Sequence, residues 1–224
     1  MNIYGDTGNV ITLGYRLAQR GIDAKIVHCE AGDTLPSNID IIVTGGGQDS
    51  GQLIVEKDLQ TKAATLNSLV KDGVVMLAIC GTYQLFGHTF ITLHDREIKG
   101  ISIFDIETRG SSERLIGNVV VDSPFGQLVG FENHSGKTLL SPQQVPLGKV
   151  VKGAGNNGET GEEGAIVNNT FGTYMHGPLL PKNPQFADEL LRRALERKYG
   201  YAKLNPLPDV EEARAARIAA HRPR

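Results

Sequence analysis

The chain has 224 residues, 40% of them hydrophobic, with 23 lysines and arginines against 25 acids and a formal net charge of -2. That near balance leaves no basic footprint for nucleic acid, and no apolar run approaches the roughly 20 residues of a membrane-spanning helix. Two cysteines, Cys29 and Cys80, give neither a disulfide framework nor zinc spacing, and the start lacks a signal-peptide pattern, so a cytoplasmic protein is expected.

In chain order, Val10, Leu13, Leu17 and Ala18 share one face of a helix that Gly21 should stop. Residues 24–30 ("AKIVHCE") and 40–47 ("DIIVTGGG") read as strands, the second ending in a glycine turn. A long helix follows, with apolar positions Ile54, Leu59, Ala63, Leu66 and Val70 and a stop at Gly73. Residues 74–79 ("VVMLAI") predict a buried strand, and residues 81–87 open another helix. This alternation implies a parallel sheet covered on both faces.

The second half changes character. Residues 98–125 and 128–152 carry short β-branched runs between Gly, Pro, Asn and Ser turns, the pattern of antiparallel hairpins. Residues 153–164 form a glycine-rich acidic loop, and residues 165–176 read as one more buried strand ending at His176. A helix over 183–200 turns Phe186, Leu190, Leu191, Ala194 and Leu195 inward. The last helix, over 209–221, opens with Asp209 and Glu212 at capping-box spacing. With no internal repeat and no long linker, residues 1–200 are expected to form one domain and residues 201–224 a helical extension.

The chemistry-bearing stretch is "MLAICGTYQLFG", residues 76–87, in which an apolar strand meets Cys80, Gly81 and a helix start. The bare pattern fits a buried structural cysteine, because cysteine behaves as a small hydrophobe. It also fits a nucleophile elbow, where N–H groups at the helix start favour thiolate. Gly81 would let substrate or backbone approach closely. Of the six histidines, His28, His88, His94 and His221 read as solvated or structurally satisfied. His176 ends an apolar strand at Gly177-Pro178, and strand carboxyl ends are where α/β sites form. A cysteine and a histidine there can carry acyl transfer through a thioester. The "TGGG" turn, residues 44–47, together with the Gly81 N–H, suits an oxyanion hole. One such donor contributes roughly 3–4 kcal/mol to the transition state. "GFENHSGKT", residues 130–138, ends like a phosphate loop but has five residues between its glycines where that motif needs four.

Together "ICGTYQLFG" (79–87), "TGGGQDS" (44–50), "GFENHSG" (130–136) and "FGTYMHGP" (171–178) resemble, in the same order, the landmarks of class I glutamine amidotransferases of the cobyric acid synthase-like branch. The likeness spans roughly residues 1–200. "NIYGDTGN" (2–9), "RLIGN" (114–118) and "FENHSGKT" further resemble the glutaminase subunits of lipid II isoglutaminyl synthases. The resemblance implies a three-layer flavodoxin-like α/β fold with a mostly parallel central sheet, helices on both faces and added antiparallel hairpins. It implies that Cys80 attacks the side-chain amide of L-glutamine and that His176 moves the proton to ammonia. Gly47 and Gly81 would hold the oxyanion, Gln84 would contact the glutamyl part, and Arg114 would clamp the carboxylate. As a residue alone, Arg114 also fits an exposed surface arginine, and His134 fits a structural or rim position.

Three departures carry consequences. Ala78 stands where many relatives have glycine, and it is small enough to keep the elbow. Pro178 occupies the position of the usual carboxylate two residues after the histidine, so the orienting acid is expected from a partner. Relatives also carry a strand ahead of "NIYGDTGN", which implies either a shortened start or a sheet lacking an edge strand. The implied partner is a Mur-ligase-like synthetase subunit in a heterodimer, holding ATP and magnesium, with no cofactor or metal in this chain. Glutaminase activity would then depend on assembly. Other readings are an amidotransferase for another acceptor such as a cobyrinate, a non-catalytic scaffold subunit, and an elbow-cysteine hydrolase or chaperone. In that last group a histidine follows the cysteine, whereas here Gly81 does.

Overall fold

Residues Val75 to Ile79 form β2, a strand buried at every position. Such a run must be covered on both faces, because it alternates between two apolar environments. In the computed structural model, which describes residues 6–46 and 49–222 and the side chains of all of these but 49–54, β2 lies in a four-stranded sheet. Its neighbours are β1 (Ile41–Thr44) and β10 (Thr170–Thr173), both parallel to it, and β9 (Ala165–Val167) runs antiparallel at the edge. On one face Val75, Leu77 and Ile79 pack against Leu13 of α1 (Thr7–Ala18) and against Phe186, Leu190 and Leu191 of α4 (Pro184–Tyr199). On the other, Met76 and Ala78 pack with Leu59, Leu66 and Val70 of α2 (Asp49–Lys71) and Leu85 of α3 (Gly81–Leu85). Each fully buried aliphatic side chain here contributes about 1.5–3 kcal/mol.

A second, six-stranded sheet is built on one long hairpin. Strands β5 (Ile106–Ser123) and β6 (Gly126–Leu140) pair antiparallel, turning at a tight corner where Gly126 takes φ +89°. Strands β3 (Thr89–Ile91), β4 (Glu97–Lys99), β7 (Gly148–Lys152) and β8 (Glu162–Glu163) complete it. The hairpin register shifts between Gly110 and Leu115, so Arg114 leaves a broken stretch of ladder.

The structure corrects three sequence expectations. Residues 24–30 form no strand: they are exposed, and none of them pairs in a ladder among the described residues, so Ile26 and Val27 stay about half exposed. A run of β-branched residues becomes a strand only when a neighbour satisfies its backbone. The predicted single strand 165–176 is a hairpin instead, because Asn168 adopts φ +52° and turns β9 into β10. Asparagine tolerates that conformation and serves tight hairpin turns. Beyond β10 the chain continues to His176, whose backbone bridges Phe131 of β6 by bonds of 2.7 and 3.3 Å.

The third correction concerns α5 (Val210–His221), where Asp209 makes no side-chain cap. Its carboxylate instead accepts from the Arg16 guanidinium at 2.7 Å, which also binds Asp188 of α4. Arg16 is buried, and only this double pairing makes a buried guanidinium tolerable. The glycine-rich loop before β8 folds inward, with the Glu132 carboxylate accepting the Ala154 and Gly155 N–H groups at 2.8 Å each. No helix among the described residues is long and apolar enough to cross a membrane.

Candidate active site

The three parallel strands deliver their carboxyl ends to one edge of the sheet: Gly45 and Gly46 after β1, Cys80 after β2, and His176 three residues after β10. Cys80 sits at φ +51°, ψ -109°, where a side chain is strained. A residue held there costs on the order of 1–3 kcal/mol, and active sites are where such strain collects. The corner is pinned from both sides. The Cys80 N–H donates to Thr173 O at 2.8 Å, its carbonyl accepts from the Gln84 N–H at 3.0 Å, and the Thr82 hydroxyl donates to Gly45 O at 2.8 Å.

Gly46 marks where the parts meet. A Cβ there would fall 2.9 Å from His176 Cε1 and 3.3 Å from Cys80 Cβ, so glycine is needed for the imidazole and the cysteine to approach. His176 is fully buried. Its Nδ1 lies 3.5 Å from Oδ1 of Asp6, an ion-pair distance, and Oδ2 of the same carboxylate accepts the Gly46 N–H at 2.8 Å. A carboxylate of this chain thus lies beside the imidazole. Asp6 belongs to the "NIYGDTGN" stretch, which carries part of the family resemblance but suggested no site residue. It holds the N-cap position of α1 yet makes no cap bond, since its carboxylate reaches across to the sheet edge. An acid at a helix start reads as a cap, which is why spacing concealed it.

The electrostatics also revise an expectation. Burial pushes the Cys80 thiol up to about 12, and the Asp6 carboxylate adds to the rise, while the Gly81 N–H and Arg114 oppose it. Helix α3 has only five residues, so its dipole is too small to offset the lost solvation. Burial therefore works against the thiolate that the elbow pattern favours.

Of the other predicted residues, Gly81 is buried at the start of α3, and Gly47 lies outside the described residues. Arg114 is exposed, with its Nε donating to Asn133 Oδ1 at 2.6 Å, and its charge reaches Cys80. Gln84 is buried, and its Nε2 donates to Tyr174 Oη at 3.0 Å, so its amide nitrogen faces the interior. Tyr174 Oη continues to Thr138 Oγ1 at 2.6 Å, which meets Thr108 Oγ1 at 2.8 Å. His134 stacks on Tyr174 with ring centroids 3.5 Å apart and contacts Gly136 O through Nδ1 at 2.7 Å. Burial pushes it down to about 4, so it is a neutral packing histidine. Gly136 to Thr138 lie inside β6 and form no loop. Among the described residues no cluster of His, Cys, Asp or Glu is arranged to hold a metal ion.

Residues 1–184 match the family described as the CobB/CobQ-like glutamine amidotransferase domain. The chain is 40% identical over 200 residues to the lipid II isoglutaminyl synthase (glutamine-hydrolyzing) subunit GatD of Staphylococcus aureus (strain N315), covering 88% of this chain and 82% of that protein. The same subunit of Streptococcus pneumoniae (strain ATCC BAA-255 / R6) is 38% identical over 204 residues, covering 89% and 78%. A probable cobyric acid synthase of Methanothermobacter thermautotrophicus is 28% identical over 170 residues, but this chain spans only 33% of it. Among solved structures, a glutamine amidotransferase superposes with TM-score 0.57 at 12% identity over 82% of this chain and 93% of that one. Another, from Thermotoga maritima, gives 0.51 at 16% identity over 91% and 84%. These two likenesses concern the fold.

Proposed function

This chain belongs to the CobB/CobQ-like glutamine amidotransferase family, and we propose that it is the glutamine-hydrolysing subunit of a lipid II isoglutaminyl synthase. The observation that carries the chemistry is the Gly46 gap, which lets Cys80 and His176 meet at the carboxyl edge of a parallel sheet. The similarity to the two GatD subunits supports the physiological role.

In this reading Arg114 pairs with the α-carboxylate of L-glutamine, a task that suits the forked donors of a guanidinium. Because burial disfavours the Cys80 thiolate, His176 accepts the thiol proton as the sulfur attacks the side-chain carbonyl carbon. The oxyanion that forms is held by the N–H groups of Gly81 and Gly47. When the carbon–nitrogen bond breaks, His176 passes its proton to the departing nitrogen, releasing ammonia and leaving a γ-glutamyl thioester on Cys80. Water, deprotonated by His176, then attacks the thioester, glutamate leaves, and the proton on His176 returns to the sulfur to regenerate the thiol. Gln84 lies one helical turn beyond the nucleophile and would meet the glutamyl part through its carbonyl side, its nitrogen being engaged by Tyr174.

The ammonia goes to a Mur-ligase-like synthetase subunit in a cytoplasmic heterodimer. That subunit would use ATP and magnesium to activate the D-glutamate carboxyl group of the lipid II stem peptide, which would become D-isoglutamine. The three-layer flavodoxin-like arrangement, and the division into a domain over 1–200 and an extension over 201–224, go with this reading. The test is glutamate release from L-glutamine by the chain together with its synthetase subunit, followed by amidation of lipid II in the presence of ATP. Wild type is expected to do both, and Cys80→Ala to do neither. Glutamate release that survives Cys80→Ala would overturn the catalytic assignment. Release without lipid II amidation would overturn the acceptor.

A further inference from the structure

We infer that the cavity between α5 and the β5–β6 hairpin is a binding site for a phosphate monoester with an apolar body, its charge held by Lys182 and Arg222. The cavity encloses about 530 Å³, a volume typical of small-molecule sites. Phe131 of the hairpin, Gly177 and Lys182 from the segment after β10, and Ile218 and Arg222 at the end of α5 line it. Two cationic side chains face this space and, among the described residues, no acid does.

These charges differ from that of Arg16, the buried guanidinium that Asp188 and Asp209 neutralise. The Lys182 ammonium donates to Gly177 O at 2.7 Å and Pro178 O at 3.0 Å, which leaves its third proton for a ligand. Carbonyls satisfy its protons but do not cancel its charge. Burial pushes the ammonium below its ordinary value, and no carboxylate opposes that shift. An anion in the cavity supplies the opposite charge that the protein leaves out.

The roof of the cavity is held by its ends. No residue of α5 is buried, so no packed face fixes the helix over the space beneath it. At its start Asp209 accepts from Arg16 at 2.7 Å, and at its end Lys152 Nζ donates to Ala220 O and Arg222 O at 3.0 and 2.5 Å. The second clamp also covers carbonyls whose partial negative charge would repel an anion beside Arg222. Phe131 and Ile218 form the apolar part of the lining, which favours an organic body over a bare ion. Two cations match the nearly two negative charges of a phosphate monoester near neutral pH, where a carboxylate carries one.

The cavity shares a wall with the catalytic edge. Gly177 follows His176 directly, and Phe131 bridges the His176 backbone through bonds of 2.7 and 3.3 Å. A phosphate that draws Lys182 off the two carbonyls releases the anchor of the peptide next to His176. This link rests on the reading of His176 as the base, whereas binding itself does not.

The test titrates the full chain with phenyl phosphate, benzoate and inorganic phosphate, following amide and Ile218 methyl shifts by NMR. Phenyl phosphate should bind about tenfold tighter than the other two and move the Phe131, Gly177 and Ile218 signals. Lys182→Met and Arg222→Met should each weaken it about tenfold. Benzoate binding as tightly would overturn the phosphate, and inorganic phosphate binding as tightly would overturn the apolar body. Shifts confined to other parts of the chain, or unchanged affinity in both variants, would overturn the site. If Lys182→Met fails to fold, Arg222→Met decides, because Arg222 is exposed. In glutamine hydrolysis with the synthetase subunit, saturating phenyl phosphate should lower kcat about fivefold in wild type. Arg222→Met should keep the basal kcat and lose this response. Binding with unchanged kcat would overturn the link to His176. Glutamate release that persists in Cys80→Ala would remove the catalytic reading and the link with it, while the titration still decides the site.

Discussion

The parallel sheet and the β5–β6 hairpin distribute their polar groups differently. Along β2 every side chain is apolar and buried, and the reactive groups stand only past the strand ends, at Gly46, Cys80 and His176. The hairpin instead keeps polar groups inside its strands, where Thr108, Glu132, His134 and Thr138 are all buried. They are engaged there: Thr108 with Thr138, Thr138 with Tyr174, Glu132 with two loop N–H groups, and His134 with Gly136 O. A buried polar group that bonds within a strand fixes the scaffold, whereas one set past a strand end remains available to substrate. Titratable burial alone therefore does not identify chemistry in this protein. His134 and His176 are both buried, yet their positions assign them different work.

The sharpest way to break this contrast is to remove the groups at the strand ends. Cys80→Ala and His176→Ala should each lower glutamate release by at least about a thousandfold, while the melting temperature moves by only a few degrees. Next in size is Gly46→Ala. Its methyl group would press on His176 Cε1 from 2.9 Å, and a shift of about 1 Å in a reacting group costs about 10²-fold in kcat. Steady-state kinetics beside a melting curve checks both, and a folded Gly46→Ala with wild-type kcat would contradict the convergence of the two strand ends.

On the hairpin side, Arg114→Lys should raise KM for glutamine about tenfold with a smaller change in kcat, because an ammonium cannot reproduce the fork. Glu163→Gln should have the smallest effect on catalysis and a distinct signature in stability. Burial pushes the Glu163 carboxyl up to about 7 from an ordinary 4.5, so the folded state binds that proton more tightly than the unfolded chain. Its contribution is thus fully present below about pH 4.5 and lost as pH rises through 7. Glutamine keeps the acceptor for the Thr173 hydroxyl and the Tyr174 N–H, so the variant should melt several degrees higher than wild type at pH 8 and gain little at pH 5. His134 acts with the opposite sign: pushed down to about 4, it withdraws stability as pH falls from 6.5 toward 4. Thermal melts across this range separate the two.

Much of this was legible in the sequence wherever a single local rule decided the outcome. The uninterrupted run of β2 and the face of α4 left few choices to the chain, and Cys80 and His176 stood out because each ends an apolar run next to glycine. The failures share a cause, namely that the deciding partner lay far along the chain. Residues 24–30 look like a strand until one asks what they pair with. Asp209 has capping-box spacing, but buried Arg16 requires its carboxylate more than the N–H groups of an exposed helix do. Asp6 drew no reading, because its carboxylate binds Gly46, 40 positions away, and faces His176. Only Asn168 was missed locally, where an Asn-Asn pair signals a turn that the surrounding apolar residues obscured.

If Cys80 is the nucleophile, it carries the glutamyl group during turnover. The direct measurement is to mix the chain and its synthetase subunit with L-glutamine, quench in acid during turnover, and map the peptides by mass spectrometry. A glutamyl adduct that hydroxylamine removes is expected on the Cys80 peptide, with Cys29 unmodified. Steady release of glutamate with no adduct on Cys80 in wild type, and the same release from Cys80→Ala, would contradict it.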